Sequence, residues 1–377
     1  DVSADRNVTK MLAVLMVDFS CALKLAMPIA VLSAMREASA SHISVKGGRF
    51  LEAVANANTV VFDKTGTLTY ATPKVADIVT FTDYKEEDML RLAACLEEHY
   101  PHSMANAVVE AAKERGLSHE EYHSQVQYIV AHGISSMVEG KKVIIGSSHF
   151  VFEDEGCHVP AGDEEKFRSL PAAYSHLYLC IAGELAAVIC IYDPLRKEAA
   201  DAVRALHACG IDKVVMMTGD NRKTAEAVAA QVGVDEVYAE VLPEDKAAFI
   251  RAEKAAGRTV IMIGDGVNDS PALSEADAGI AISTGAAIAR EIADITIASE
   301  DLFELVTLRK LSTELMARIR RNYRFIVSFN FSLIVLGVAG ILPPTTSALL
   351  HNTSTLAISL KSMTNLLPEK SQAHESV

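Results

Sequence analysis

The chain has 377 residues, 50% of them hydrophobic and 22% charged, with a mean hydropathy of +0.20 and 35 Lys+Arg against 49 Asp+Glu, a net charge of −14. This apolar content rules out global disorder, and the acidic balance argues against nucleic acid as the main partner. Six cysteines (Cys21, Cys95, Cys157, Cys180, Cys190, Cys209) with no Cys-x-x-Cys pair rule out a disulfide scaffold and fit a reducing compartment.

In chain order, residue 1 is Asp rather than Met, so the chain is read as processed or as a fragment. Residues 11–35 form an apolar stretch of spanning length interrupted by Asp18, Lys24 and Pro28. A hydrocarbon core of about 30 Å takes about 20 helical residues, so a transmembrane helix is expected here. The strand-like runs 58–67, 214–220 and 259–269 each end in an acidic or glycine-rich turn, and helical runs at 197–209, 222–232 and 243–256 separate them. Buried strands alternating with amphipathic helices predict a parallel α/β sheet, with ligands beyond its carboxyl edge. Residues 72–192 read as an inserted α+β domain, with helices at 86–99 and 103–115 and short strands near 128–130, 136–138, 142–145, 177–181 and 185–191. Two more spans are expected at 325–342, uncharged throughout, and at 346–360 after Pro343-Pro344, with buried core helices as the alternative. Arg318, Arg320, Arg321 and Arg324 mark the near end of 325–342 as cytoplasmic.

The chemistry gathers at the predicted strand ends. In Asp63-Lys64-Thr65-Gly66-Thr67-Leu68-Thr69 a carboxylate sits in a Gly/Thr-rich turn, where it can attack phosphorus while backbone N–H groups hold phosphate oxygens. A plain strand-exit turn is the alternative. Gly264-Asp265-Gly266-Val267-Asn268-Asp269 is a second acidic turn, able with Asp63 to hold Mg²⁺. Thr218-Gly219-Asp220 adds a hydroxyl, and Lys246, in Pro243-Glu244-Asp245-Lys246, adds a positive charge for a transferring phosphoryl group; a solvated lysine at a helix start is its alternative.

DKTGTLT, TGD, PEDK and GDGVND, in this order, resemble the phosphorylation domain of a P-type ATPase, of the haloacid-dehalogenase-like Rossmann-type fold. The resemblance implies that Asp63 is phosphorylated by ATP. It further implies that Lys64 and Lys246 stabilise the phosphate, and that Asp63, Thr65 (through its backbone oxygen) and Asp265 bind Mg²⁺. Thr218, Gly219 and Asp220 would contact the phosphate and the hinge, and Asn268 and Asp269 would complete the site. Phosphatases of this fold carry a second Asp two residues after the nucleophile. Here Thr65 stands there, which favours a pump whose acyl-phosphate survives.

Lys46-Gly47-Gly48 followed by Leu51-Glu52 is very like the KGGxxLE of heavy-metal (type IB) pumps. The Glu97 to His102 spacing is similar to their adenine-binding pair, with Ser103 where they carry Pro. Their Gly-x-Gly loop is represented by Ala131-His132-Gly133, so Glu97, His102 and Gly133 are the implied nucleotide contacts. Where type IB pumps have Cys-Pro-Cys, this chain has Phe19-Ser20-Cys21. Asp18, Cys21 and Lys24 share a helix face, and Asp18 and Lys24 can instead simply pair. His351 and Thr355 share a face further on, in a pattern that resembles last-span motifs of zinc-, cadmium- and cobalt-type members. Asp18, Cys21 and His351 are therefore the expected ligands of a transported divalent ion rather than Cu(I).

No Thr-Gly-Glu loop is present, so an actuator domain and upstream spans are expected to be missing partners, beside ATP, the metal and membrane lipid. The expected divisions are a span with the metal site (1–44), the phosphorylation domain (45–71 and 193–315), the nucleotide-binding domain (72–192), two spans (316–366) and a polar tail (367–377). The expectation is an integral membrane protein, of the plasma membrane, with its nucleotide and phosphorylation domains in the cytoplasm. Its function would be ATP-driven transport of a divalent heavy metal through an aspartyl-phosphate. The alternatives are a membrane-anchored haloacid-dehalogenase-type phosphatase, a potassium-type P-type ATPase subunit and a non-catalytic regulatory fragment.

Overall fold

The computed structural model describes residues 2–17, 19–70, 72–98, 103–117, 123–129, 133–172, 174–265, 269–282, 291–299 and 301–368. The chain forms two units, Asp1–Asn56 with Glu304–Val377, and Ala57–Phe303.

The first unit begins with α1 (Val2–Leu15), α2 (Phe19–Ala40), β1 (Ile43–Val45) and α3 (Gly48–Asn56). Two later helices, Phe303–Val338 and Pro344–Ser362, complete it. On α2 a small residue recurs every fourth position, Ala22, Ala26, Ala30, Ala34 and Ala38, and all five are buried. This spacing keeps them on one helix face and lets a neighbouring backbone approach closely. Ala22 and Ala26 pack with Ile326 and Ile358. The segment after the last helix is tied down by hydrogen bonds. Ser33 Oγ and Arg36 donate to the Met363 carbonyl, Arg318 donates to the Asn365 carbonyl, and Glu37 accepts from the amides of Leu366 and Leu367.

The expected membrane spans need correction. Among the described residues, no helix is long and apolar enough to cross a membrane. The stretch 11–35 is divided between α1 and α2. The uncharged stretch 325–342 outruns its helix, which stops at Val338 and carries Arg318, Arg320, Arg321 and Arg324 in the turns before it. Helix Pro344–Ser362 has 19 residues, and His351, Asn352, Ser354, Thr355, Ser359 and Lys361 lower its hydropathy.

The second unit contains a parallel sheet and an antiparallel one. The parallel strands are β2 (Thr59–Asp63), β9 (Lys213–Met217), β10 (Glu236–Tyr238), β11 (Val260–Gly264), β12 (Ala278–Ile282) and β13 (Ile295–Ile297). They lie in the order β13-β12-β11-β2-β9-β10. β2 pairs with β9 through Val61↔Val215 and with β11 through Val61↔Met262. Every residue of β2, β11, β12 and β13 is buried, as a sheet covered on both faces requires. α7 (Ala199–Ala208), α8 (Arg222–Val232), α9 (Pro243–Ala255) and α10 (Ser270–Glu275) connect these strands. Ile250, Ala272 and Leu273 from α9 and α10 pack with Val61, Val215 and Met262.

Between β2 and α7 the chain builds the antiparallel sheet. Its strands are β3 (Lys74–Thr80), β4 (His123–Ile129), β5 (Gly133–Val138), β6 (Lys141–Gly146), β7 (Ser175–Ile181) and β8 (Glu184–Tyr192), in the order β3-β8-β7-β6-β5-β4. Alternation along β7 and β8 divides their side chains between two cores. Leu177, Leu179, Ile189 and Ile191 meet Leu90, Ala94 and Val108 of α4 (Glu86–Glu97) and α5 (Ser103–Glu114). Tyr178, Cys180, Val188 and Cys190 meet Phe81, Phe150, Val151 and Leu170. The inserted α+β part read from the sequence is thus present as an antiparallel sheet with α4, α5 and the short α6 (Glu164–Arg168).

At Gly279 on β12 a Cβ atom would meet the Leu273 carbonyl oxygen at 2.4 Å, and that partner is backbone that cannot swing aside. Gly279→Ala is therefore expected to lower stability by about 2 kcal/mol, the scale of a core overpacking defect. A fall in the urea midpoint at unchanged slope checks it.

Candidate functional site

Asp63 ends β2, the central parallel strand. The order of strands reverses beside it, because β9 and β10 continue to one side and β11, β12 and β13 to the other. Sheets of this kind form their ligand crevice at that reversal, beyond the carboxyl ends of the strands. The following residues, Lys64–Leu68, make a wide turn closed by the Thr69 amide donating to the Lys64 carbonyl, with Thr65 extended (ψ 129°) and Gly66 at φ 73°. That left-handed backbone favours glycine. The Gly66 amide donates to Thr69 Oγ1 at 2.9 Å. Arg196 Nε donates to the carbonyls of Thr67 (2.9 Å) and Thr69 (3.2 Å), and the Arg196 amide donates to Leu68 O, so the turn is held from outside.

Two buried lysines, in three ion pairs, converge on this strand end. Lys246 comes from the first turn of α9, where Pro243 stands at the helix start and Asp245 Oδ2 accepts from the Leu242 amide. Its Nζ lies 2.5 Å from Asp63 Oδ1 and 2.7 Å from Asp269 Oδ1. Lys64 Nζ lies 2.5 Å from Asp220 Oδ2 and 3.0 Å from Ser175 Oγ. Asp63, Lys64, Lys246 and Asp269 are all buried, and Asp269 is only 1% exposed. Thr218, at the end of β9, is buried too; its amide donates to the Tyr238 carbonyl, and its Oγ1 accepts from the Asp220 amide at 3.1 Å. Gly219 leaves open space beside the chain.

Burial raises the Asp63 carboxyl from its ordinary value to about 6, against the opposing pull of Lys246, with Asp269 adding to the rise. Burial likewise raises Asp269, and Lys246 opposes it. Burial alone would pull Lys246 down, but Asp63 and Asp269 hold it above its ordinary value. Lys64 is also held up, with burial overcome by Asp220, Asp193 and Asp63. Asp220 is held below the usual carboxylate range because Lys64 outweighs its burial.

The strand-end residues Asp63, Lys64, Thr218, Asp220, Lys246 and Asp269 thus share one corner. Asp265 is half-buried in the same acidic turn, and its charge bears on Asp269. Glu97, at the end of α4, and Gly133, opening β5, belong to the antiparallel part. Glu97 is 2% exposed, and a Cβ on Gly133 would strike the Phe150 ring at 2.4 Å and the Ile145 carbonyl at 2.5 Å. Asp18, His102 and Asn268, and the side chain of Cys21, lie outside the described residues. His351 lies in the first unit, buried, with Nδ1 3.1 Å from Asn330 Oδ1. A donated Nδ1–H there leaves Nε2 with the lone pair that a metal ion takes. Among the described residues, no three His, Cys, Asp or Glu side chains form a ready-made metal cage.

The motif reading gave no role to Ser175, Asp193 or Arg196, and quoted Gly264 in the acidic turn without one. Gly264 is required because a Cβ would meet Asp269 Oδ2 at 2.6 Å. Asp193 is raised by burial and faces Lys64. Asp193-Pro194-Leu195-Arg196, where the chain returns from β8, was the available signal for two of the four.

Comparison with known proteins agrees with this geometry. The family described as haloacid dehalogenase-like hydrolase matches residues 57–277. The chain is 38% identical over 338 residues to a copper-transporting ATPase 2 of Rhizobium meliloti, covering 90% of this chain and 40% of that protein. It is 35% identical over 355 residues to a manganese-exporting P-type ATPase of Mycobacterium leprae, covering 94% of this chain and 49% of that protein. The chain thus spans less than half the length of these relatives. Among solved structures, a zinc-transporting PIB-type ATPase in its E2.Pi state is similar with a TM-score of 0.63 and 30% identity, over 91% of this chain and 55% of the other.

A proton on Asp63 is bound more tightly in the folded chain than in the unfolded one. Its contribution to stability is therefore full below the unfolded value of 3.8 and is lost as pH rises through about 6. Carboxyl ¹³C NMR is expected to give Asp63 a midpoint near 6. Lys246→Met, which removes the opposing cation, is expected to move that midpoint higher.

Proposed function

The chain belongs to the haloacid dehalogenase-like hydrolase family, and on that premise we propose that it is the catalytic part of an ATP-driven heavy-metal pump that works through a phosphorylated Asp63. One observation carries the reading: Lys246 bridges Asp63 and Asp269, at 2.5 and 2.7 Å, at the carboxyl end of the central strand. With its carboxyl at about 6, Asp63 is ionised at neutral pH and able to act as a nucleophile. Its oxygen attacks the γ-phosphorus of ATP. The new P–O bond joins Asp63, the bond from the γ-phosphorus to the bridging oxygen breaks, and ADP leaves. Lys246, already against the attacking carboxylate, meets the charge of the transferring phosphoryl group. Thr218 offers a hydroxyl at the neighbouring strand end, and the turn 64–68 offers backbone N–H groups. Glu97, His102 and Gly133 are the proposed nucleotide contacts.

The donor set suits Mg²⁺. Asp63, Asp265 and Asp269 outnumber Lys246 in charge, and Asp269 Oδ2 is buried without a hydrogen-bond partner. Mg²⁺ prefers one or two carboxylates together with phosphate oxygens and water, so an all-protein cage is not needed. Asp63, Asp265 and the Thr65 carbonyl are the proposed holders, and the ion, when bound, neutralises phosphate oxygens. Thr65 brings no carboxyl to activate a hydrolytic water, which favours a lasting aspartyl-phosphate over a phosphatase cycle.

The relatives named above carry copper and manganese, and the similar structure carries zinc. We assign a divalent ion to this chain because His351 presents an imidazole and Cys21 is a lone thiol, a set that suits a borderline ion better than Cu(I). Asp18 completes the proposed set. The nucleotide and phosphorylation parts are placed in the cytoplasm, where ATP is supplied, and the whole pump at a membrane.

Incubation with ATP labelled at the γ-phosphate is expected to give an acid-stable, hydroxylamine-sensitive phosphoprotein. Asp63→Asn should abolish it, and Lys246→Ala should slow it by about 100-fold, the scale of losing one charge-stabilising group. A chain that releases inorganic phosphate without accumulating label would be a phosphatase and would overturn the reading. In the complete pump, zinc, cadmium or cobalt should stimulate labelling, and stimulation by Cu(I) alone would sink the divalent assignment.

A further inference from the structure

The ion pair of Lys64 and Asp220 has a third member that comes from the inserted sheet. Ser175 is the first residue of β7, where its backbone is in register with Ile191 near the end of β8. Ser175 is 5% exposed, and its hydroxyl accepts from Lys64 Nζ at 3.0 Å. The same hydroxyl helps hold the Asp220 carboxyl below its usual range. A serine can do both, because one oxygen accepts while its proton donates. The three groups therefore close a small polar network in which every charge is met.

The neighbouring residues fix the same segment onto the parallel-sheet part. Thr224 Oγ1 donates to the Tyr174 carbonyl at 2.9 Å. Asn221 Nδ2 donates to His176 Nδ1 at 3.1 Å, so the His176 proton sits on Nε2, which donates to Pro171 O at 3.0 Å. Burial lowers His176, in keeping with that neutral ring. Asn221 Oδ1 meanwhile caps α8 by accepting from the Thr224 amide. Lys223 Nζ reaches the carbonyls of Arg168 and Leu170 at 3.4 Å each. Arg168, Leu170, Tyr174 and His176 thus sit on the start of α8, whose cap, Asn221, directly follows Asp220.

We propose that Ser175 is a positioning residue: seated from the inserted sheet, its hydroxyl holds the Lys64 ammonium against Asp220, so Lys64 is correctly placed beside Asp63 only when that sheet is docked. The inference rests on the proposed phosphorylation of Asp63 for its catalytic consequence, and on geometry alone for the placement of Lys64. Loss of the hydroxyl takes one bond from the Lys64 ammonium and leaves it freer to swing about Asp220.

The test uses the whole chain and two readouts. Reductive methylation followed by mass spectrometry reads the accessibility of Lys64 without any activity. Ser175→Ala should label Lys64 about tenfold faster, as loss of one bond to a charged group implies, while Lys246 labels as before. Ser175→Thr, which keeps the hydroxyl, should restore slow labelling and so separates positioning from misfolding. Labelling of Lys64 unchanged by Ser175→Ala overturns the inference. Phosphorylation from ATP should fall about tenfold in Ser175→Ala at an unchanged KM, and show no further fall in a Lys64→Gln background. Equal slowing in both backgrounds also overturns it, because Ser175 would then act independently of Lys64. A wild-type chain that forms no phosphoprotein overturns the functional reading instead, and the methylation arm still decides the placement of Lys64.

Discussion

The buried ammonium of Lys246 is the constraint on which the catalytic corner depends. Two carboxylates, Asp63 and Asp269, are carried into the protein interior at the ends of adjacent parallel strands. Left to themselves they would repel, and burial would drive both to the neutral acid. Lys246 lies between them and is itself held charged by them. The result is a carboxyl at about 6, low enough to be ionised at neutral pH and close enough to neutrality to remain a competent nucleophile.

Everything around that ammonium serves its placement. The reversal of strand order brings the ends of β2, β9 and β11 together. Gly264 keeps the backbone clear of Asp269, and the capped start of α9 aims Lys246 inward. Gly66 lets the chain turn sharply behind Asp63, and Arg196 fastens that turn from the strand that returns out of the inserted sheet. A second cation, Lys64, is held apart from the first by its own acid, Asp220. Each buried ammonium thus has acids of its own, Asp63 and Asp269 for Lys246 and Asp220 for Lys64, the condition under which buried charge is tolerated.

Much of this was legible because the chemistry is written in short contiguous runs. Asp63 with its Gly/Thr turn, Asp220 in Thr218-Gly219-Asp220 and Asp269 in its acidic turn each stand at the end of an apolar run, and period and burial do the rest. Five strands of the inserted sheet were legible as short apolar runs, whereas β3, largely solvent-facing, was not read. The expected membrane spans find no helix long and apolar enough among the described residues, because hydropathy runs do not record where helices break. The first run divides after Leu15, and the run 325–342 loses its helix at Val338. Ser175 left no trace, as a serine opening a strand is ordinary, whereas Asp193 and Arg196 stand in a short run, Asp193-Pro194-Leu195-Arg196, that could have been read.

The sequence by itself determined which reactive groups exist and that they stand at strand ends, because strand periodicity and turn chemistry are local properties. Only the tertiary structure decided which cation meets which acid. Lys246 is 183 residues from Asp63, Lys64 is 156 from Asp220, and Ser175 is 111 from Lys64. Separations of that size carry no preference in the chain itself. The pairing follows from strand order and from side chains that reach a few ångströms, and both are fixed only when the sheet is assembled.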